Sequence, residues 1–170
     1  MKSSRLKPFC CWLACLFCLV ATSSRSQQLP FKGANTILIT TDLADKEAYL
    51  AVAEVLTEQG VAYTGDNDFL IIRAPENVFA GSNKGAVFEG KLYINSGLAM
   101  LTGWLRNSSY IVQTSSLAEP NGTPVEYRKG STAPQNEGFL FMDNLARKLQ
   151  PVLHGVMSYK LQNHPLSSKR

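Results

Sequence analysis

"NTILITTDLADKEAYLAVAEVLTEQGVAY", residues 35–63, carries the reading on which the rest of the chain depends. Thr36–Thr40 is a β-branched, apolar run bounded by Asn35 and Asp42, the composition of a short strand. Asp42, Asp45 and Glu47 then set carboxylates where a helix begins and its free N–H groups favour negative charge. Ala48, Tyr49, Val52, Ala53 and Leu56 return at steps of three and four, so one face of that helix is apolar. Gly60 stands where the helix ends, because a residue tolerant of positive φ closes the last turn. Val61–Thr64 follows as a second strand, so the stretch reads strand, helix, strand.

Downstream, a turn at "GDND" (65–68) leads into the apolar run "FLIIRA" (69–74), and Pro75 with "GSNKG" (81–85) marks a looser connection. "AVFEGKLYINSGLAMLTGWLR" (86–106) has the form of a long hairpin, with Asn95-Ser96-Gly97 as a three-residue loop. That register sets Ile94 opposite Leu98, Leu92 opposite Met100 and Phe88 near Trp104 on one apolar face. "SYIVQT" (109–114) is a further strand. Residues 115–134, rich in Ser, Pro and Gly, form an exposed segment with a short strand at Val125–Arg128.

Thr132 and Gln135 are spaced as a capping box, which opens a second helix burying Phe139, Met142, Leu145, Ala146 and Leu149. Pro151 is expected to end it near Gln150. "GVMSYKL" (155–161) is a last edge strand, and 163–170 is a disordered tail. The order predicts one α+β domain over 27–162, a mostly antiparallel sheet of about five strands with two helices packed on one face.

On "TTDLADKEAYLAVAEVLTEQG", the "INSG" hairpin and "FLFMDNLARKL", the chain resembles small exported bacterial domains of unknown function with a TATA-box-binding-protein-like or BamC-like fold. The resemblance spans roughly residues 32–161. It implies that fold and an envelope location, and it transfers no functional residue.

The first 26 residues bear on location. Lys2, Arg5 and Lys7 precede an apolar run from Pro8 to Ala21, and "TSSRSQQ" follows. A positive start, a short apolar stretch and a small polar exit describe a cleaved signal peptide, and the run is too short to span a membrane. Cleavage is expected near Ser26–Gln27, or after Ser23 with Ala21 at minus three. All four cysteines, Cys10, Cys11, Cys15 and Cys18, fall inside this apolar run, where they act as filler. The residues before Cys15 and Cys18 fit a lipid-attachment signal poorly, so a lipoprotein is the weaker reading. The product is expected to be periplasmic or secreted.

Removing residues 1–26 also removes the charge excess. The chain has 17 basic and 13 acidic residues, and Lys2, Arg5, Lys7 and Arg25 account for the difference of four. The basic balance therefore says nothing about nucleic acid, and no clustered Lys/Arg face with interleaved aromatics is visible in the sequence.

Chemistry is scarce. A hydrolytic triad needs a histidine or other base beside a nucleophile, yet the only histidines are His154, just past a helix end, and His164, in the tail. No G-x-S-x-G surrounds a serine. "DLADKE" (42–47) lacks the ligand spacing of a calcium loop, and "DND" (66–68) is read as a plain turn. The glycines at 81, 85, 90, 97 and 103 precede no phosphate-binding helix. "NSS" at Asn107 and "NGT" at Asn121 match a glycosylation pattern that a bacterial chain would not use. No catalytic residue, metal ligand or cofactor is assigned.

What remains is surface. The hairpin register puts Val87, Tyr93, Leu101 and Leu105 on the sheet face away from the helices, as a patch for an envelope partner protein, unless the second helix or residues 115–134 cover it. The alternative is a carrier of a small apolar ligand or lipid, with Trp104, Phe139 and Phe141 lining a cavity between sheet and second helix. The first reading, a non-enzymatic exported adaptor or accessory domain, is the one the absence of catalytic groups favours.

Overall fold

A computed structural model of the chain describes residues 28–65, 69–74, 85–107 and 122–162. The signal-like segment, the "DND" turn, "GSNKG" up to Lys84, "SYIVQT" and the tail lie outside the described residues.

The opening stretch folds as strand β1 (Thr36–Thr40), helix α1 (Asp45–Glu58) and strand β2 (Ala62–Gly65). They are followed by β3 (Phe69–Arg73), β4 (Ala86–Asn95), β5 (Leu98–Asn107), the two-residue β6 (Thr123–Pro124), α2 (Pro134–Val152) and β7 (Val156–Lys160). The protein is an α+β fold in which all strand pairs are antiparallel. Among the described residues the sheet has seven strands in the order β2-β3-β4-β5-β1-β7, with β6 attached to β5 in line with β1. Both helices cover one face. Ile37, Ile39, Leu70, Ile72, Phe88, Leu92 and Leu101 from the sheet meet Val52, Leu56, Phe139, Met142 and Leu149 from the helices, all essentially without solvent contact. Burial of each such side chain contributes about 1.5–3 kcal/mol, so this layer is the main source of stability.

α1 buries Ala48, Val52, Val55 and Leu56, whereas Tyr49 is 38% exposed. The buried stripe is thus displaced by one position from the predicted one, toward Val55. It ends as predicted. Gly60 has φ +62°, and the amides of Gly60 and Val61 donate to the carbonyls of Thr57 and Leu56.

α2 begins differently from the expected capping box. Ala133 is the N-cap and contributes no side-chain bond, and Pro134 fills the first turn, where its missing N–H costs nothing. Asn136 supplies the local fastening instead: its Nδ2 donates to the Ser131 carbonyl (2.6 Å), and its Oδ1 accepts from the Arg128 amide (2.8 Å). Nor does Pro151 end the helix near Gln150, since α2 continues to Val152. The amides of His154 and Gly155 donate to Pro151 and Gln150 carbonyls, closing the helix just beyond the end that proline preference suggests.

The hairpin corrects the sequence reading most. Its turn is the two-residue pair Ser96-Gly97, both at positive φ (52° and 75°), with Asn95 paired to Leu98. Two residues of positive φ are what a right-twisted hairpin prefers, and α1 holds them: Asp45 Oδ2 and Oδ1 accept the amides of Ser96 (3.1 Å) and Gly97 (3.3 Å). Relative to the predicted three-residue loop, β5 slips by one residue, and its side chains exchange faces. Ile94 now pairs with Ala99, Leu92 with Leu101, and Phe88 with Leu105.

Phe88 shows why this register is tight. Gly90 and Gly103 face each other, and the Phe88 ring lies across both: a Cβ on Gly103 would stand 2.3 Å from Phe88 Cε2. The predicted exposed segment is also corrected where it is described. Val125 is fully buried, its amide bonds to the Gly103 carbonyl (3.0 Å), and the only strand pairing there is β6 rather than Val125–Arg128.

Candidate functional site

The register decides which side chains the helix-free face presents. Of the four residues expected there, Val87 and Tyr93 are on it, while Leu101 (1% exposed) and Leu105 (7%) are in the core beneath the helices. Met100 and Trp104, expected inside, take their places on the helix-free side. Pairings then line up one apolar row across four strands: Leu38 beside Met100, Met100 beside Tyr93, Tyr93 beside Phe69. All four are half-buried, and Ile71 and Lys91 flank them in the next row.

The row ends in a pocket of about 390 Å³ at the tip of the sheet, lined by Asp45, Lys46, Tyr49, Phe69, Tyr93, Ile94 and Asn95. Asp45 reaches it because it opens α1 and is turned toward the hairpin amides. Asn95 Nδ2 donates to the Tyr93 hydroxyl (2.9 Å), fixing that ring's tip at the pocket rim. Among the described residues, none of those lining this pocket is a histidine or a cysteine.

Beyond the row lies a charged group. The Glu89 carboxylate, buried, meets Arg106 Nη2 at 2.8 Å and Arg73 Nε at 3.5 Å. Arg106 Nε is buried with no hydrogen-bond partner among the described residues. Lys91 Nζ stands 4.9 Å from the Phe69 ring centre and 5.9 Å from that of Trp104, distances at which a ring face attracts a cation. Arg73, Lys91 and Arg106 therefore share one face with Phe69, Tyr93 and Trp104. The sequence shows no such cluster because its members sit on three strands that only the sheet brings together.

A second polar group joins α2 to β7. The Tyr159 hydroxyl donates to Asp143 Oδ1 (2.5 Å), and Arg147 Nε donates to Asp143 Oδ2 (2.9 Å) while its Nη2 approaches the tyrosine oxygen (3.2 Å). Burial, then the bond to Asp143, pushes the Tyr159 phenol above its ordinary value. The Arg147 guanidinium is likewise raised, chiefly by its bond to Asp143. A phenol held protonated inside a helix–sheet seam fastens the two elements and offers neither a base nor a nucleophile.

The proposed ligand-cavity residues do not converge. Phe139 is fully buried against Tyr127 and Tyr159, and Phe141 packs on Phe88 at 5.0 Å between ring centres. Trp104 is on the other side of the sheet, beside Glu89 and Pro124, so the strands separate it from both. His154 is exposed at φ +48°, one residue beyond the α2 C-cap Leu153, and His164 and Asn121 lie outside the described residues. Among the described residues no three of His, Cys, Asp and Glu stand together as a metal site, and no helix is long and apolar enough to cross a membrane. No family model matches the chain, and no curated protein matches it.

Proposed function

We propose that this protein is an exported, non-enzymatic domain of the cell envelope that works by protein contact, as an adaptor or accessory, through the helix-free face of its sheet. The observation that carries the reading is the half-buried row Leu38–Met100–Tyr93–Phe69, continuous across four strands and ending in a pocket. Partner sites are built this way: aromatic and Met side chains at the centre, with a receptacle for one anchoring group. The strongest titratable cluster, Asp143–Arg147–Tyr159, is engaged in holding α2 to β7, which leaves no spare acid–base pair in it. The signal-like first 26 residues support export.

A photo-cross-linking phenylalanine analogue at Tyr93, compared with one at Leu140 on the exposed side of α2, tests the contact. A discrete adduct from position 93 and none from 140 is expected in cells producing the full chain. Equal labelling, or none from 93, overturns the reading. Export is tested separately by mass spectrometry of the mature N-terminus, expected at Gln27 or Ser24. An intact Met1 rules it out.

A further inference from the structure

Resting on the reading of the helix-free face as a contact surface, we infer that its partner is an acidic amphipathic polypeptide segment. The basis is a segregation of charge that the neutral mature composition conceals. Among the described residues the helix-free face carries Arg73, Lys91, Arg106 and Lys160 against a single carboxylate, Glu89, which is buried. On the other side of the molecule, α1 exposes Glu47, Glu54 and Glu58, while its first residues, Asp45 and Lys46, line the pocket at the hairpin end. The contact face is thus cationic and the outer helix anionic, so a chain approaching with carboxylates is drawn to the sheet and turned away from α1.

The apolar row sets the rest of the partner's chemistry. Leu38 and Met100 are aliphatic and lie in line with Tyr93 and Phe69, which suits a stripe of apolar side chains, with one bulky group seated in the pocket beside Tyr49. Carboxylates flanking that stripe fall over Lys91 on one side of the row. A nucleic acid is the poorer fit. Lys91 already occupies a face of Phe69, Trp104 is only 7% exposed, and buried Glu89 sits between the two arginines where a phosphate would have to approach. Bases need open ring faces to stack upon.

Three probes test this by fluorescence anisotropy with the full chain. One is an amphipathic peptide of about 18 residues, five helical turns, with leucine at every third or fourth position and glutamate between. The others are its lysine counterpart and an oligothymidylate of about 12 nucleotides. The glutamate peptide is expected to bind at least about tenfold tighter than the lysine peptide, and to lose that advantage between about 50 mM and 500 mM salt. Lys91→Glu with Lys160→Glu is expected to reverse the preference. The salt titration on the unaltered protein keeps the test valid if that variant folds poorly. Equal binding of the two peptides, no binding of either, or tighter binding of the oligonucleotide overturns the inference. A Tyr93 adduct in cells alongside any of these leaves the contact face standing and removes only its acidic partner. Failure of the adduct as well removes the face itself.

Discussion

Tyr159 and His154 show two residue-scale devices with opposite legibility. The Tyr159 phenol is raised above its ordinary value of about 10, so its contribution to stability is complete below that pH and is lost as pH rises through the folded-state value. Unfolding in alkali is therefore expected to be eased above about pH 10, with phenol ionisation followed by ultraviolet absorbance. Tyr159→Phe is expected to remove that alkaline component and to cost about 2 kcal/mol at neutral pH, because buried Asp143 loses a donor. Nothing in the sequence joins Asp143 to Tyr159, since the pair exists only where α2 crosses β7. His154, in contrast, was placed by its position after a helix and before Gly155. Its backbone holds φ +48°, a conformation that costs a non-glycine residue about 1 kcal/mol. His154→Gly is expected to stabilise the fold by that order, read as a higher urea midpoint, and a lowered midpoint would mean that the imidazole contributes more than its backbone costs.

At the scale of elements, periodicity revealed existence and type but not register. β1, α1, α2 and β7 follow directly from their apolar spacing, because a helix or strand buries whatever its own period brings to one side. The hairpin faces do not follow, since both sides of β5 carry large apolar groups: Met100 and Trp104 on one, Leu101 and Leu105 on the other. The deciding information is in Ser96-Gly97, a turn closed by a carboxylate from another element. A sequence signal was nevertheless present in Gly90 and Gly103, which must oppose each other for Phe88 to lie across them. Gly103→Ala is expected to cost about 1–3 kcal/mol through overpacking against that ring. Combined with Phe88→Leu, the added cost is expected to shrink, because the two positions share one contact. Additive losses in a double-mutant cycle would show that the ring does not lie there.

Among the described residues the molecule is a two-layer structure whose core contains no cysteine, all four cysteines of the sequence lying at residues 10–18. Its melting temperature is expected to be the same, within about 1 °C, with and without dithiothreitol, and a larger shift would reveal a disulfide that supports the fold. The helix-free face was only half legible. Val87 and Tyr93 lie on it as expected and Leu101 and Leu105 do not, because the row and its cations arise from pairings between strands far apart in the chain. The sheet order has a mechanical consequence. β1 lies between β5 and β7, and its first residue pairs with the last residue of β7, Thr36 with Lys160. The Asn35 side chain and Gln162 close the same end, with the Asn35 amide on the Lys160 carbonyl. A force applied to the two chain ends therefore loads these bonds one at a time, as a zipper, rather than all together in shear. The domain resists heat through its core yet yields to a pull from its termini, and a machine that threads it from either end meets its weakest seam first.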